Sequence, residues 1–298
     1  MTQTTMRGVY PILVTPFDDK GRIDTESLER LVEANIEWGV HGIGIALGSE
    51  VFKFSEAERE LVTRTVVRQV RGRVPVVMNT GANGTELAIH YSLAAQEHGA
   101  DALMIMPPSF APVGAAETRE YFKAISDAVK LPIFIQDTSN PHVAAGLCRQ
   151  IAEESEHVRY VKVESLPTPV MVADAIATCG GLLTIFGCAG GNYFIEEMRR
   201  GSVGTMPSCS QSDAFVKVWD LFQAGDQAGA EKVFYDLIVP MNRLSGQTWG
   251  AFYHVNKELL RQRGVIACAH VRGPIAPLDA LTRREMDEMI ERLYGKKQ

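Results

Sequence analysis

Eight short apolar runs recur along this chain, and each is followed by a segment of helical period. They begin near Tyr10 (YPILV), Gly42 (GIGIA), Val74 (VPVVM), Ala102 (ALMIM), Pro132 (PIFIQ), Val158 (VRYVK), Leu183 (LTIFG) and Ser202 (SVGTM). Their starts lie between 19 residues (183 to 202) and 32 residues (10 to 42) apart, the size of one strand–helix unit. Runs that are apolar throughout need cover on both faces, which is the condition of a parallel sheet wrapped in helices. Eight such units close as a (β/α)8 TIM barrel. The rival, a doubly wound open sheet, usually has fewer strands, and no GxGxxG follows a strand here.

The intervening segments carry their own signals. Leu28, Leu31, Val32, Asn35 and Ile36 form a stripe at i, i+3, i+4, i+7 and i+8, and Leu87, Tyr91, Ala94, Ala95 and His98 form another. Ser55 and Glu58 match a capping box at a helix start. Gly39, Gly72 and Gly99 stand where helices end, a position that favours a left-handed residue. After residue 225 the rhythm becomes helices alone, around Asp226–Leu244, Trp249–Arg263 and Thr282–Tyr294. The expected organisation is a barrel over residues 1–225 and a C-terminal helical extension over 226–298.

The charge balance narrows the partners. A formal charge of −6 with no sizeable Lys/Arg cluster gives no footprint for nucleic acid and no attraction to an anionic membrane. The start, MTQTTMRGVYPILVTPF, lacks a long signal-peptide core, so a cytoplasmic location is expected. Five scattered cysteines without a CxxC read as buried free thiols, and seven dispersed histidines with no HxH or HExxH give no reason to expect a metal.

Barrel active sites lie at the C-terminal ends of the strands. The polar residues there are Thr15, then Gly48, Ser49 and Glu50, then Asn79 and Thr80, then Gln136 and Asp137, then Lys162 and Glu164. The glycine-rich stretch Gly187–Gly191 follows the seventh run. Lys162 ends an apolar run and would point into the barrel mouth. Desolvation there lowers a lysine pKa and leaves a neutral amine that can attack carbonyls. The other reading is a rim lysine paired with Glu164. Glu50 reads as a holder of neighbouring loops, Asn79 and Thr80 as partners for hydroxyls or for loop backbone, and Tyr160 as core beneath the amine.

The succession ILVTPF at 12–17, Ser49-Glu50 after the second strand, a lysine ending the sixth and RRGSVGTM at 199–206 resembles the dihydrodipicolinate synthase/N-acetylneuraminate lyase family, from about residue 7 to about 295. The resemblance implies a (β/α)8 barrel with a C-terminal helical extension, commonly a homotetramer, and a homo-oligomer (tetramer or dimer) is the expectation here. It also implies a Schiff base between Lys162 and a small 2-keto acid, with no separate cofactor.

Departures from that family's pattern select among its branches. Ala46-Leu47-Gly48-Ser49-Glu50 replaces GTTGE, Gln136-Asp137 replaces Tyr-Asn, and Pro108-Ser109 replaces an aromatic pair. No arginine lies between Lys130 and Arg149, where the synthases hold a second carboxylate. Glutamine cannot act as acid or base near neutral pH, which argues against condensing pyruvate with aspartate semialdehyde. Ser49-Glu50, Gln136-Asp137 and Lys162-Val163-Glu164-Ser165 resemble instead the sugar-acid dehydratase branch, which handles 2-keto-3-deoxy acids such as L-2-keto-3-deoxyarabonate. The expected activity is dehydratase or aldolase, with dihydrodipicolinate synthase and a non-catalytic binding barrel as alternatives. Candidate proton-transfer groups are Glu164 and Ser49, with Gln136 beside them. Gly48, Ser49, Thr15, Asn79, Asp137 and Gly187 are the expected substrate contacts, the carboxylate falling to backbone N–H groups around Gly48 and Ser49.

Overall fold

The computed structural model describes residues 5–248 and 250–295. Eight parallel strands alternate with eight helices: β1 (Gly8–Val9), α1 (Thr25–Glu37), β2 (Ile43–Ile45), α2 (Glu56–Val70), β3 (Val76–Asn79), α3 (Thr85–Glu97), β4 (Ala102–Ile105), α4 (Ala115–Ala128), β5 (Ile133–Asp137), α5 (Ala145–Glu154), β6 (Val158–Val163), α6 (Thr168–Cys179), β7 (Thr184–Gly187), α7 (Phe194–Arg199), β8 (Gly204–Thr205) and α8 (Ser212–Gln223). Each strand pairs with its sequence neighbour from β2 through β8, and β8 pairs with β1. The ring closes through Ile12, which bridges in parallel to Gly44 on one side and to Ser208 on the other. This is the expected (β/α)8 barrel.

The first strand, Gly8–Val9, ends just before its expected run at 10–14, in which Ile12 makes only isolated bridges, and the last is shorter than its run. Pro11 has no N–H to donate, so the ladder at β1 is carried by alternate groups: Tyr10 N–H to Thr205 O, Ile12 N–H to Pro207 O, and Gly44 N–H to Pro11 O. On β8, Gly204 faces Gly8 so closely that a Cβ there would lie 2.1 Å from the Gly8 oxygen. Closure therefore depends on a residue without a side chain at this point.

Inside the barrel, Phe134 and Tyr160 stack with ring centroids 4.3 Å apart, and Phe186 meets both edge-on. Each such buried side chain contributes about 1.5–3 kcal/mol by leaving water. Alternate residues turn outward: Ile135, Val161 and Ile185 pack under the helices. On α1 the buried face is the expected one, with Asn35 admitted because its amide bonds to Leu31 O and receives Ser212 Oγ. On α3 the buried face is Ala88, Ser92 and Ala95, and Leu87 is exposed. The helix is rotated from the expected stripe because Ser92 donates its hydroxyl to Thr80 at 2.9 Å, so a polar side chain is satisfied inside. The Ser55–Glu58 capping box is present, and Gly39, Gly72 and Gly99 all have positive φ.

The extension comprises α9 (Gln227–Val233), a π-helical turn (Phe234–Ile238), α10 (Val239–Ser245), α11 (Ala251–Gln262) and α12 (Ala280–Tyr294). The single helix expected over 226–244 is thus interrupted by a wider turn just before Pro240, which lacks an N–H. Trp249, the expected start of the next helix, lies outside the described residues, as do Met1–Thr4 of the segment weighed as a leader. Met241, Leu244, Val255, Leu259, Met286 and Ile290 form a small core of their own. Ala230, Phe234, Ile238 and Leu260 instead join the core beneath the barrel helices. Among the described residues no helix is long and apolar enough to cross a membrane. The five cysteines are free, four of them buried and Cys268 partly so.

Replacing Gly204 with Ala should lower the unfolding free energy by about 1–3 kcal/mol, because the methyl group can be placed only by parting β1 from β8. Urea denaturation of the variant beside the parent measures it.

Candidate active site

Strand β6 brings the central group. Tyr160 lies in the barrel interior, and the period of two puts Lys162 on the same face, one layer nearer the mouth. The ladder continues past the strand's end, where Glu164 N–H donates to Asp137 O at 2.7 Å. That extension keeps Glu164 in phase with Lys162, and its carboxylate lies 2.9 Å from the ammonium. Beneath them the rings of Tyr160, Phe134 and Phe186 form an apolar floor.

Two neighbours complete the carboxylate's surroundings. Gln136, paired in register with Lys162, donates its amide to Glu164 Oε2 at 2.6 Å. Cys188, the residue after β7, approaches Oε1 at 3.1 Å with its thiol. Burial pushes the Lys162 ammonium down, but the facing Cys188 and Glu164 together more than offset this, and the net direction is up. Burial alone would raise Glu164, while Lys162 and the amide of Gln136 lower it. Burial also pushes the Cys188 thiol well up, so it is a neutral donor. The resting state is therefore an ion pair, which corrects the expectation of a neutral amine produced by desolvation. The sequence placed Cys188 only among the buried free thiols, because nothing local to GCAGG shows that its thiol meets a residue 24 positions earlier.

A cavity of about 220 Å³ opens above this pair. Gly48, Lys162, Glu164, Cys188, Gly190 and Ser208 belong to its wall, and Phe252 and Tyr253 cover one side. Those two aromatic residues come from α11 of the extension, so the cavity is built by both parts of the chain. Sequence reasoning passed over them. The available signal was on α11 itself, where Tyr253, Asn256, Lys257 and Leu260 share one buried face, too polar for plain core.

The other expected site residues, Ser49, Thr15, Glu50, Asn79, Asp137 and Gly187, stand outside the cavity's lining. Ser49 donates its hydroxyl to Leu13 O and accepts from Ala46 N–H, while its own N–H bonds to Ala46 O. Its one hydroxyl proton and its amide are thereby engaged within the loop, away from the cavity wall. Thr15 likewise donates to Ser49 O at 2.7 Å. Glu50, fully buried with left-handed φ, binds Lys53 at 2.7 Å and also Lys257 of α11. Burial brings the Lys257 ammonium down to about 8 despite Glu50. Asn79, two residues past the interior Val77, faces inward at the end of β3, while Thr80 turns to Ser92. Asp137 accepts from Val143 N–H at 2.8 Å, contacts His142 at 2.8 Å and receives Ser165 Oγ, which pins the loops after β5 and β6.

Gly187 has both backbone groups occupied, its N–H by Ser202 Oγ and its oxygen by Met206 N–H. Gly190 lies in the wall instead, in a turn where Ala189, Gly190 and Gly191 all have positive φ. A Cβ on Gly187 would fall 1.8 Å from the carboxyl of Glu197, which fills the space behind β7 and accepts from Thr168. Among the described residues no group of three or more His, Cys, Asp or Glu side chains could hold a metal ion.

Residues 5–293 match the model of the dihydrodipicolinate synthetase family. The chain belongs to that family. It is 32% identical over 299 residues to an L-2-keto-3-deoxyarabonate dehydratase of Azospirillum brasilense, covering 96% of this chain and 94% of the relative. It is 27% identical over 313 residues to a 4-hydroxy-tetrahydrodipicolinate synthase of Syntrophobacter fumaroxidans, covering 97% and 99%. A crystal structure of dihydrodipicolinate synthase from Rhodopseudomonas palustris superposes with a TM-score of 0.88 at 27% identity, covering 96% of this chain and 97% of that one. This family member is an enzyme of the lyase class.

Behind the site, burial pushes the Glu197 carboxyl up to about 8 from a usual 4.5, with Glu196 adding to the rise. A carboxyl that holds its proton more tightly when folded stabilises the fold at low pH, and that contribution fades as pH rises from about 4.5 through about 8. Glu197→Gln should therefore flatten the stability profile over that window and be more stable than the parent at pH 8. Thermal melts across the range test the sign.

Proposed function

We propose that this lyase dehydrates a 2-keto-3-deoxy sugar acid of the L-2-keto-3-deoxyarabonate kind through a Schiff base on Lys162. The observation that carries the reading is the pair of buried Lys162 and partly exposed Glu164, with Gln136, not a tyrosine, beside it. Proton transfer within the pair frees the amine to attack the C2 carbonyl. The carbinolamine hydroxyl then takes that proton from Glu164 and leaves as water. The iminium draws electrons from C3, Glu164 removes the C3 proton, and the enamine expels the C4 hydroxyl. In the resulting unsaturated iminium a proton moves from C5 to C3, water hydrolyses the C–N bond to return Lys162, and the C4–C5 enol becomes the aldehyde. Gln136 holds the carboxylate in line, and Gly48, which lines the cavity, receives the substrate carboxylate, with Asn79 assigned to the hydroxyl-bearing end from its inward face on β3. Ser49, Thr15 and Asp137 act by shaping the loops, and Gly187 by making room for Glu197.

The cavity's size and charge support the substrate class. About 220 Å³ is below the roughly 300–1,000 Å³ of sites for drug-sized ligands, as suits a short acid. Among the described residues lining it, Lys162 is the one cation, so a second carboxylate would find no counter-ion. The same two facts, with Gln136 unable to relay protons, weigh against condensation with aspartate semialdehyde. A homo-oligomer, tetramer or dimer, is part of the proposal, and sedimentation analysis decides it.

Borohydride reduction with pyruvate should add one covalent mass increment on Lys162, and none in Lys162→Ala. A panel of 2-keto-3-deoxy acids should yield a 2-ketoglutarate-semialdehyde-type product; released pyruvate would mean an aldolase, and no adduct with any 2-keto acid would end the Schiff-base reading. Glu164→Gln should slow turnover by about 10²–10⁴-fold.

A further inference from the structure

Elimination from a 2-keto-3-deoxy acid needs a base at C3 and an acid at the departing C4 oxygen. The pair on β6 supplies the base, since Glu164 is held ionised. The acid must come from elsewhere in the wall. Among the described residues lining the cavity, the remaining proton carriers are Cys188, Ser208 and Tyr253. The Cys188 thiol already faces Glu164 Oε1 and Met206 O, and a thiol is a weak hydrogen-bond donor to oxygen. Ser208 offers an aliphatic hydroxyl, a much weaker acid than a phenol.

We propose that Tyr253, carried by the C-terminal extension, is the acid that protonates the hydroxyl leaving from C4. This rests on the dehydratase reading above. The phenol stands on α11, a different wall from the base on β6, so the two proton transfers use separate groups. Its hydroxyl donates to Leu47 O at 3.2 Å, longer than the 2.5–3.0 Å usual for such a bond, and is readily exchanged for a substrate oxygen. The Lys53 ammonium, itself paired with Glu50, lies 5.5 Å from the ring centroid. Burial, with the charges of Glu50 and Glu164, pushes the phenol well up, so it holds its proton until an oxygen takes it.

The step balances without a co-reactant. The C3–H bond breaks with its proton going to Glu164 and its electron pair forming the enamine. The enamine pair then forms the C3–C4 double bond as the C4–O bond breaks. The departing oxygen keeps that bond's electrons, takes the phenolic proton and leaves as water. The proton on Glu164 passes back to the phenolate, restoring both groups. Nothing is oxidised or reduced.

The test is Tyr253→Phe on two substrates: the 2-keto-3-deoxy acid that the parent dehydrates, and its analogue with chloride at C4, which leaves without a proton. We expect turnover of the hydroxy acid to fall by about 10²-fold or more with KM little changed. Chloride elimination should stay at the parent rate, and pyruvate trapping on Lys162 should be undiminished. Near-parent turnover of the hydroxy acid overturns the assignment, and so does an equal loss on both substrates, which would mark a structural role. A parent enzyme that traps pyruvate yet eliminates from neither substrate overturns the dehydratase reading itself.

Discussion

A lysine and a carboxylate taken out of water together cost several kcal/mol per ion, and their attraction repays this only if the remaining lone pairs are also satisfied. The Lys162–Glu164 pair meets that condition through a narrow set of contacts: an amide from β5, a thiol after β7 and the two charges on one strand and its extension. Three consecutive strands must be in register for this to hold. The parallel ladder, the closed ring and the aromatic floor are thus preconditions of the chemistry, since a slip of one residue on β6 would turn the amine into the helices.

A second buried charge cluster organises the other side of the mouth. Glu50 sits in left-handed backbone between Lys53 of its own loop and Lys257 of α11, and Lys257 also donates to His270 O. Removing one member of such a cluster leaves an uncompensated buried charge, so the loop after β2 and the extension are energetically tied. Their joining places Phe252 and Tyr253 against the same cavity that Gly48 lines.

Much of this was legible in the residues. Apolar runs fully enclosed on both faces announce themselves without alternation, so seven of the eight strands could be placed and the first was missed by a residue; the period of two was enough to put Lys162 and Glu164 on one face. Pro11 removed a ladder donor from the first run, and Gly204 allowed β8 to approach β1 closely, effects that a run of hydrophobic letters does not display. The face of α3 was misjudged because Ser92 finds a partner in Thr80, a contact that exists only after folding. Ser49 was legible as a loop residue, yet whether its hydroxyl faced substrate or Leu13 depended on the loop's turn. Cys188, Tyr253 and Lys257 stayed out of view because their significance comes from residues tens to hundreds of positions away.

The stacked rings of Phe134 and Tyr160, with Phe186 against them and the Tyr160 hydroxyl receiving Met6 N–H, leave the barrel stoppered at its base. The interior is a packed core and not a conduit. Traffic is therefore one-way-street in reverse: whatever enters at the rim, along with every molecule released during turnover, must depart by that same doorway past the α11 aromatics.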